Sequence, residues 1–292
     1  MTTQSITSIT DGQKKQIKRF AEDAVDRAIA ESILNKDGIQ KLIENSDEFQ
    51  AHIIAGIKDL LVSNQFADEE VESSYGYLSG YKPKGITEQT KILRQLFSCV
   101  GFADEKLAEQ PLPPNTEGWF AIPRWQSVAK TYNEAVQKML DLIKQQCNGN
   151  FYNHREGRIG EQYLRQHERA AKKLQTLGDQ QASFDIMVVA AQFGLRHRGR
   201  SVRRAREVLA GNEFGLGAFE IGCMIFTHPE RLQHYGDLWI NCAGNEYAPG
   251  EGGVFSLAPC FVFRDGGVKF GARWVGDACE LYGSASAFLS PQ

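Results

Sequence analysis

APCFVFRDGGVKFGARWVGDACELYGSASAFL, residues 258–289, is the stretch whose reading decides the fold of this 292-residue chain. Side chains alternate along it with a period of two, the signature of a strand with one buried face. Phe261, Phe263, Val268, Phe270 and Ala272 fall on one side, and Cys260, Val262, Arg264, Lys269, Gly271, Arg273 and Val275 fall on the other. Between them Asp265, Gly266 and Gly267 supply residues that take positive φ, so the two strands form a hairpin. Alternation places Trp274 with the inward set, yet its position at a strand end leaves the ring able to stand out as an anchor. GDACELY, which follows, has no periodicity and reads as a loop, and YGSASAFL reads as a final small-residue strand.

Such a hairpin suits a display surface. Exposed positions away from caps and cores shift stability by only about 0.5 kcal/mol when exchanged. A buried framework of Phe261, Phe263, Phe270, Tyr282 and Phe288 would hold the backbone meanwhile. The candidate contact residues are Cys260, Val262, Arg264, Gly271, Arg273, Trp274, Gly276, Asp277, Cys279, Glu280 and Leu281, with Tyr282 to Leu289 expected beneath them as a central strand. The plainer alternative is an ordinary edge hairpin, blunted against aggregation by Arg264 and Lys269.

Working outward, 33 basic and 36 acidic residues with 42% hydrophobic content describe a globular chain near neutrality, which favours neither nucleic acid nor a membrane surface. The opening MTTQSITSIT is polar, so neither a secretory signal nor a transmembrane segment is read. The expectation is a cytoplasmic protein, with export by an unconventional route left open. Six cysteines without a C-x-x-C pair read as reduced thiols, a Cys260–Cys279 disulfide being conceivable only on export.

The first hundred residues are helical by pattern. Ile17, Phe20, Ala21, Ala24, Val25, Ala28 and Ile29 recur at three and four, a stripe read as core, with Asp11 as the expected cap. A second helix runs from about Asp37 with a stripe reaching Leu61, and a third covers Glu88 to Val100. Three prolines within residues 111–114 then favour an extended connector. The expected division is a helical N-terminal region over 1–114 and an α+β domain over 115–292, the border lying near Asn115. GWFAIPRW reads as a strand, and a helix follows with Ser127 as its candidate cap. Residues 161–209 keep a helical signal, the glycine-rich GNEFGLGAFEIGCMIF predicts close backbone packing, and strand character takes over after Tyr235.

Catalytic and metal motifs are not found. The histidines at 52, 154, 167, 197, 228 and 234 form no H-E-x-x-H, and no cysteine stands beside them at zinc spacing, so no metal or cofactor is expected. GSASA lacks the nucleophile elbow, and the pair Asp237 and Glu246 is the only acid–base suggestion. The basic run Arg196, His197, Arg198, Arg200, Arg203, Arg204 and Arg206 suits phosphates, but in a near-neutral chain internal salt bridges or a solvated helix face are the stronger reading.

Strand, turn, strand, loop and a closing YGSASAFL resemble the C-terminus of variable proteins of diversity-generating retroelements, in which a reverse transcriptase rewrites codons near the end of the gene. GWFAIPRW and the helix after it resemble the first strand and helix of a C-type lectin fold. The resemblance spans about Trp119 to Leu289. It implies a helical N-terminal region followed by a C-type-lectin-like domain with a long helical insertion, displaying a changeable surface to an unknown protein or surface ligand. The E-P-N and W-N-D calcium-sugar motifs of true lectins are missing. Two rival readings are a phage- or defence-related structural protein whose hairpin packs in an assembly, and a hydrolase or transferase with a cleft of converging titratable groups. Oligomerisation is left open.

Overall fold

A computed structural model describes residues 10–60 and 64–289. By contacts the chain divides into two units, ending and beginning at Leu60 and Leu61. The first unit holds α1 (Asp11–Ala30), α2 (Lys36–Glu44) and α3 (Ser46–Leu60). Thr10 rather than Asp11 caps α1, because Thr10 and Gln13 form a reciprocal capping box. The single helix expected from Asp37 breaks at Asn45, and Leu61, at the end of its stripe, lies outside the described residues.

The second unit mixes helices and sheets. Its helices are α4 (Ile86–Leu96), α5 (Trp125–Val128), α6 (Tyr132–Gln146), α7 (Glu168–Gln180), α8 (Val202–Glu207) and α9 (Ala218–Thr227). One antiparallel sheet contains β1 (Gly118–Pro123), β4 (Ile186–Gln192), β11 (Ser286–Phe288) and β5 (Glu213–Gly215), in that order. The other has the path β10 (Tyr282–Ser284), β6 (Trp239–Asn241), β8 (Leu257–Arg264), β7 (Asn245–Tyr247) and β3 (Leu164–Gln166). Off that path β9 (Gly267–Trp274) joins β8 to β2 (Phe151–Asn153).

The hairpin register follows its alternation. Phe261 pairs with Phe270 and Cys260 with Gly271, and a two-residue turn joins Arg264 to Gly267. Asp265 and Gly266 both have positive φ, 51° and 77°, the backbone of a type I′ turn. Phe261 and Phe270 are fully buried with rings 5.0 Å apart. Phe263 and Ala272 are only partly buried against the same core.

Four expectations need correction. The border at Asn115 fails because residues 64–114 are bound into the later chain. Gln89, fully buried, donates to the Trp119 carbonyl and accepts from Ala121 N–H, Tyr77 donates to Glu117, and Ile86, Leu93 and Phe97 join the main core. The proline run is therefore a loop inside one unit. Residues 186–192, read as helical, form strand β4, buried at every position between β1 and β11. An uninterrupted apolar run carries no period to distinguish the two. Tyr282–Leu289 is not one central strand. β10 pairs in parallel with β6 at one end of its sheet, whereas β11 is central in the other sheet. The step between them is close-packed, since a Cβ at Gly283 would stand 2.4 Å from the Gly194 carbonyl oxygen. Ser127 likewise gives way as a cap to Thr131, whose box partner is Glu134.

Inside this core Glu220, on α9, accepts from Tyr132 Oη and from Gly217 N–H, both at 3.1 Å. Burial pushes its carboxyl up to about 7 against an ordinary value of 4.5. A raised pKa means that the fold favours the protonated acid, so this group's contribution is full below pH 4.5 and is lost as pH rises through 7. Glu220→Gln, whose amide oxygen can still accept, should therefore gain stability relative to wild type at pH 8 and little at pH 5. Urea midpoints at the two pH values measure this, and a pH-independent difference would refute the account. On the hairpin, Phe270→Ala should cost about 3–5 kcal/mol. Lys269→Ala, which removes the pair with exposed Asp265, should cost much less, and urea midpoints rank the two.

Candidate functional site

The outward face of β8 and β9 lines a cleft of about 540 Å³. Of the expected contact residues it brings together Cys260, Val262, Arg264, Gly271 and Arg273. They are joined by Lys269 and Asp265 from the hairpin, Trp239 from β6, and His154 and Arg155 from the turn after β2. That turn arrives because β2 pairs in parallel with β9 and His154 N–H donates to the Phe270 carbonyl at 2.9 Å.

The Trp239 ring organises the cleft. The Arg273 guanidinium lies 4.5 Å and that of Arg264 5.5 Å from its centroid, and Arg273 also stands 4.9 Å from the Tyr282 ring. Beneath these cations Trp239, Val262 and Tyr282 form a small buried cluster against which Cys279 and Leu281 pack. Cys260 and Val262 are thus on the expected face but buried, correcting their assignment as contact residues. The aromatic–arginine layer covers them, and they form the floor.

Charge on the rim is unequally satisfied. Lys269 is held by Asp265. Arg273 reaches Asp277 only at 3.9 Å, and Arg264 makes no ion pair among the described residues. Arg155 donates to the Ala272 carbonyl at 3.0 Å while its Nε is buried without a partner. The cleft therefore presents excess positive charge over an aromatic surface, which suits carboxylate or phosphate groups. Burial lowers the His154 pKa, with Lys269 and Arg155 adding to the effect, and burial raises the Cys260 thiol to about 11. No hydrogen bond joins these two side chains.

The remaining expected residues lie outside the cleft. Trp274 is 53% exposed, away from the cleft, with the Arg203 guanidinium 5.1 Å from its ring. Gly276 is buried beside that guanidinium, a second correction, because a Cβ there would meet Arg203 Nη2 at 2.8 Å. Glu280 is exposed, and its carbonyl accepts from Ser73 Oγ at 2.5 Å.

Elsewhere the basic run is consumed internally except at exposed Arg198, whose side chain donates only to the Tyr75 carbonyl. Arg203 pairs with Glu69, Arg200 and Arg204 with Glu70, and Arg196 and His197 with Glu213, while Arg206 donates to the carbonyls of Ala243 and Asn245. Asp237 accepts from Leu78, Gln233 and His234 N–H groups, and Glu246 pairs with Arg165, so each is engaged separately. His228 is a fully buried core residue, its pKa pushed by burial down to about 4. Among the described residues no group of three or more His, Cys, Asp and Glu is placed to hold a metal ion, and no helix is long and apolar enough to cross a membrane.

Comparison of the chain with protein-family models, with curated proteins and with solved structures gives no match.

The six cysteines are free thiols, Cys260 and Cys279 included. Cys260 is buried and protonated at neutral pH, whereas Cys99 is exposed. Alkylation by iodoacetamide at pH 7.5 followed by mass spectrometry should modify Cys99 quickly and leave Cys260 intact until the protein is denatured. Equal rates at the two thiols would contradict the covered floor.

Proposed function

We propose that the protein is a ligand-binding display protein in which the outward face of β8 and β9, with the loop over 275–281, is a surface of exchangeable side chains on a rigid scaffold. The observation that carries this reading is the contrast across one hairpin. Its inward face locks Phe261 and Phe270 into the core, while its outward rim offers Arg264 without an ion pair and Arg273 with only a distant one. Replacement of the rim leaves the core contacts untouched. The exchangeable set is Arg264, Lys269, Gly271, Arg273, Asp277 and Glu280, with Cys260, Val262 and Gly276 belonging to the support and Trp274 standing apart against Arg203.

The reading extends to a C-type-lectin-like domain with a long helical insertion, of the kind found in variable proteins of diversity-generating retroelements. What supports it is a closing segment of small residues that must stay small, Gly283 against Gly194 above all, directly after the candidate variable stretch. The ligand class favoured by the rim is anionic, an acidic protein surface or a phosphate-bearing one. Catalysis is the weaker reading, because the thiol and imidazole in the cleft are not hydrogen-bonded and the thiol is held protonated.

The test uses a fluorescein-labelled glutamate-rich peptide as probe, read by anisotropy at low ionic strength. Wild type should bind it, salt should weaken the complex, and Arg264→Glu with Arg273→Glu should weaken it more than tenfold without changing the melting temperature. Equal binding of a lysine-rich peptide would exclude the anionic ligand class. A collapsed melting temperature on joint replacement of Arg264, Lys269, Asp277 and Glu280 would exclude a tolerant display surface. For the retroelement reading, DNA sequencing should find a near-copy of the last thirty or so codons beside a reverse-transcriptase gene.

A further inference from the structure

We propose that a cavity walled by α7, β4 and the first turn of α9 binds a small primary ammonium ion, whose charge is met by the carboxylate of Glu220. This cavity shares no residue with the hairpin cleft, so it stands whether or not that face is a display surface. Its volume is about 140 Å³. Leu174 and Gln175 line it from α7, Met187 from β4 and Glu220 from α9, and Trp125 and Gln166 complete the wall. An apolar cavity of nearly this size, about 150 Å³, takes up one benzene, so the space suits a molecule of a few non-hydrogen atoms. Gln126 and Gln175 are exposed and mark its mouth, while Leu174, Met187 and Glu220 are buried at its inner end.

The surroundings of Glu220 point to a cation. The residue is only 2% exposed, yet no cation is among the groups that set its titration. Burial raises it, and the only opposing contacts are its own N–H, Tyr132 Oη and the Gly217 N–H. Tyr132 has one hydroxyl proton for two acceptors at 3.1 Å, Glu220 Oε2 and Asn245 Oδ1. Glu220 Oε1 accepts from no other residue among those described. A carboxylate buried in this way is costly without a countercharge.

None of its neighbours supplies one. Tyr132, Cys223 and Cys242 are the titratable groups around it, and burial raises all three, so they are uncharged at neutral pH. Arg124 is the one cation lining the cavity, and it makes no ion pair with Glu220. Its Nε donates to the Phe184 carbonyl at 2.7 Å and its Nη2 to the carbonyls of Gly178 and Gln181. An entering ammonium brings the missing charge and three N–H donors, for Oε1 and for the lining glutamine amides. Its alkyl part has Trp125, Leu174 and Met187 to lie against. A neutral molecule leaves the carboxylate unpaired, and an anion is repelled by it.

The probes are three molecules of nearly one size, propylammonium chloride, 1-propanol and sodium propionate, titrated into the full chain at equal ionic strength. Propylammonium should bind saturably at pH 8 and raise the melting temperature, since a ligand of the folded state stabilises it, and the other two should do neither. The amine, like a lysine side chain, is charged at pH 5 and at pH 8. Glu220, which titrates at about 7, is ionised only at the higher pH, so affinity should fall more than tenfold at pH 5. At pH 7, calorimetry in buffers of different ionisation enthalpy should detect release of about half a proton per bound amine. Glu220→Gln should abolish binding, as should Ala171→Leu, which fills the cavity from α7 and leaves the carboxylate in place. Equal binding of 1-propanol, tighter binding of propionate, an affinity unchanged between pH 8 and pH 5, or no saturable binding of the amine would each overturn the proposal. Binding retained by either variant would do the same. The pH profile and the proton release are read on wild type, so they decide the matter even where a variant fails to fold.

Discussion

The second unit hangs together at one buried carboxylate. Glu213, on β5, has no solvent exposure, and it accepts from His197 Nε2 at 2.8 Å, Arg196 Nε at 3.0 Å, Ser286 Oγ at 2.6 Å and Ala210 N–H at 3.1 Å. Burial pushes its pKa up, but the hydrogen bond and charge of His197, with Ser286 and Arg196, more than reverse this and hold it at about 2. Such a group is stabilising only while every partner is present, since removing one member of a buried pair costs about 3–5 kcal/mol. Its donors come from the segments on either side of α8 and from β11, so it ties β11 to the arginine-rich segment. From there the constraint passes to the cleft. With β11 fixed, the step at Gly283 is pressed against Gly194, β10 is held on β6, and Tyr282 is set 5.3 Å from Trp239, centroid to centroid. The surface that receives Arg273 is thus set by a carboxylate on another sheet.

What the sequence discloses is local. Period-two alternation and an Asp-Gly turn are properties of neighbouring residues, and they place the faces of β8 and β9 in the correct register. The helix of α1 is legible for the same reason, but the core role expected of its stripe is not met, since the helix holds no buried residue. What is hidden is non-local. The seven buried residues of β4 carry no alternation, because both faces of that strand are covered. Burial at Val262 comes from Trp239, some twenty residues upstream, and the entry of His154 and Arg155 into the cleft depends on a parallel pairing across more than a hundred residues. The proline run announces an interruption of helix truthfully, but an interruption is a domain border only when few contacts cross it, and here Gln89 and Tyr77 cross it.

Arginine is used in two ways in this chain, and the difference separates scaffold from surface. Arg124, Arg169 and Arg206 reach two or more backbone carbonyls each, and Arg231, fully buried, donates to those of Phe193 and Leu238. Arg196, Arg200, Arg203 and Arg204 are matched to carboxylates of Glu69, Glu70 and Glu213. These guanidiniums act as rigid forks tying loops together, although Nε and Nη1 of Arg231 are buried without a hydrogen-bond partner. Arg264 and Arg273 instead rest on the Trp239 ring, which orients a guanidinium through its face while leaving most of its N–H donors free. The basic run that is prominent in the sequence is therefore matched within the fold except at exposed Arg198, whose side chain donates only to the Tyr75 carbonyl, whereas two arginines inconspicuous in the hairpin rest on a preformed aromatic platform. Orientation before binding lowers the entropy lost on capture of a partner, so under the proposed reading the quieter pair is the better binding element.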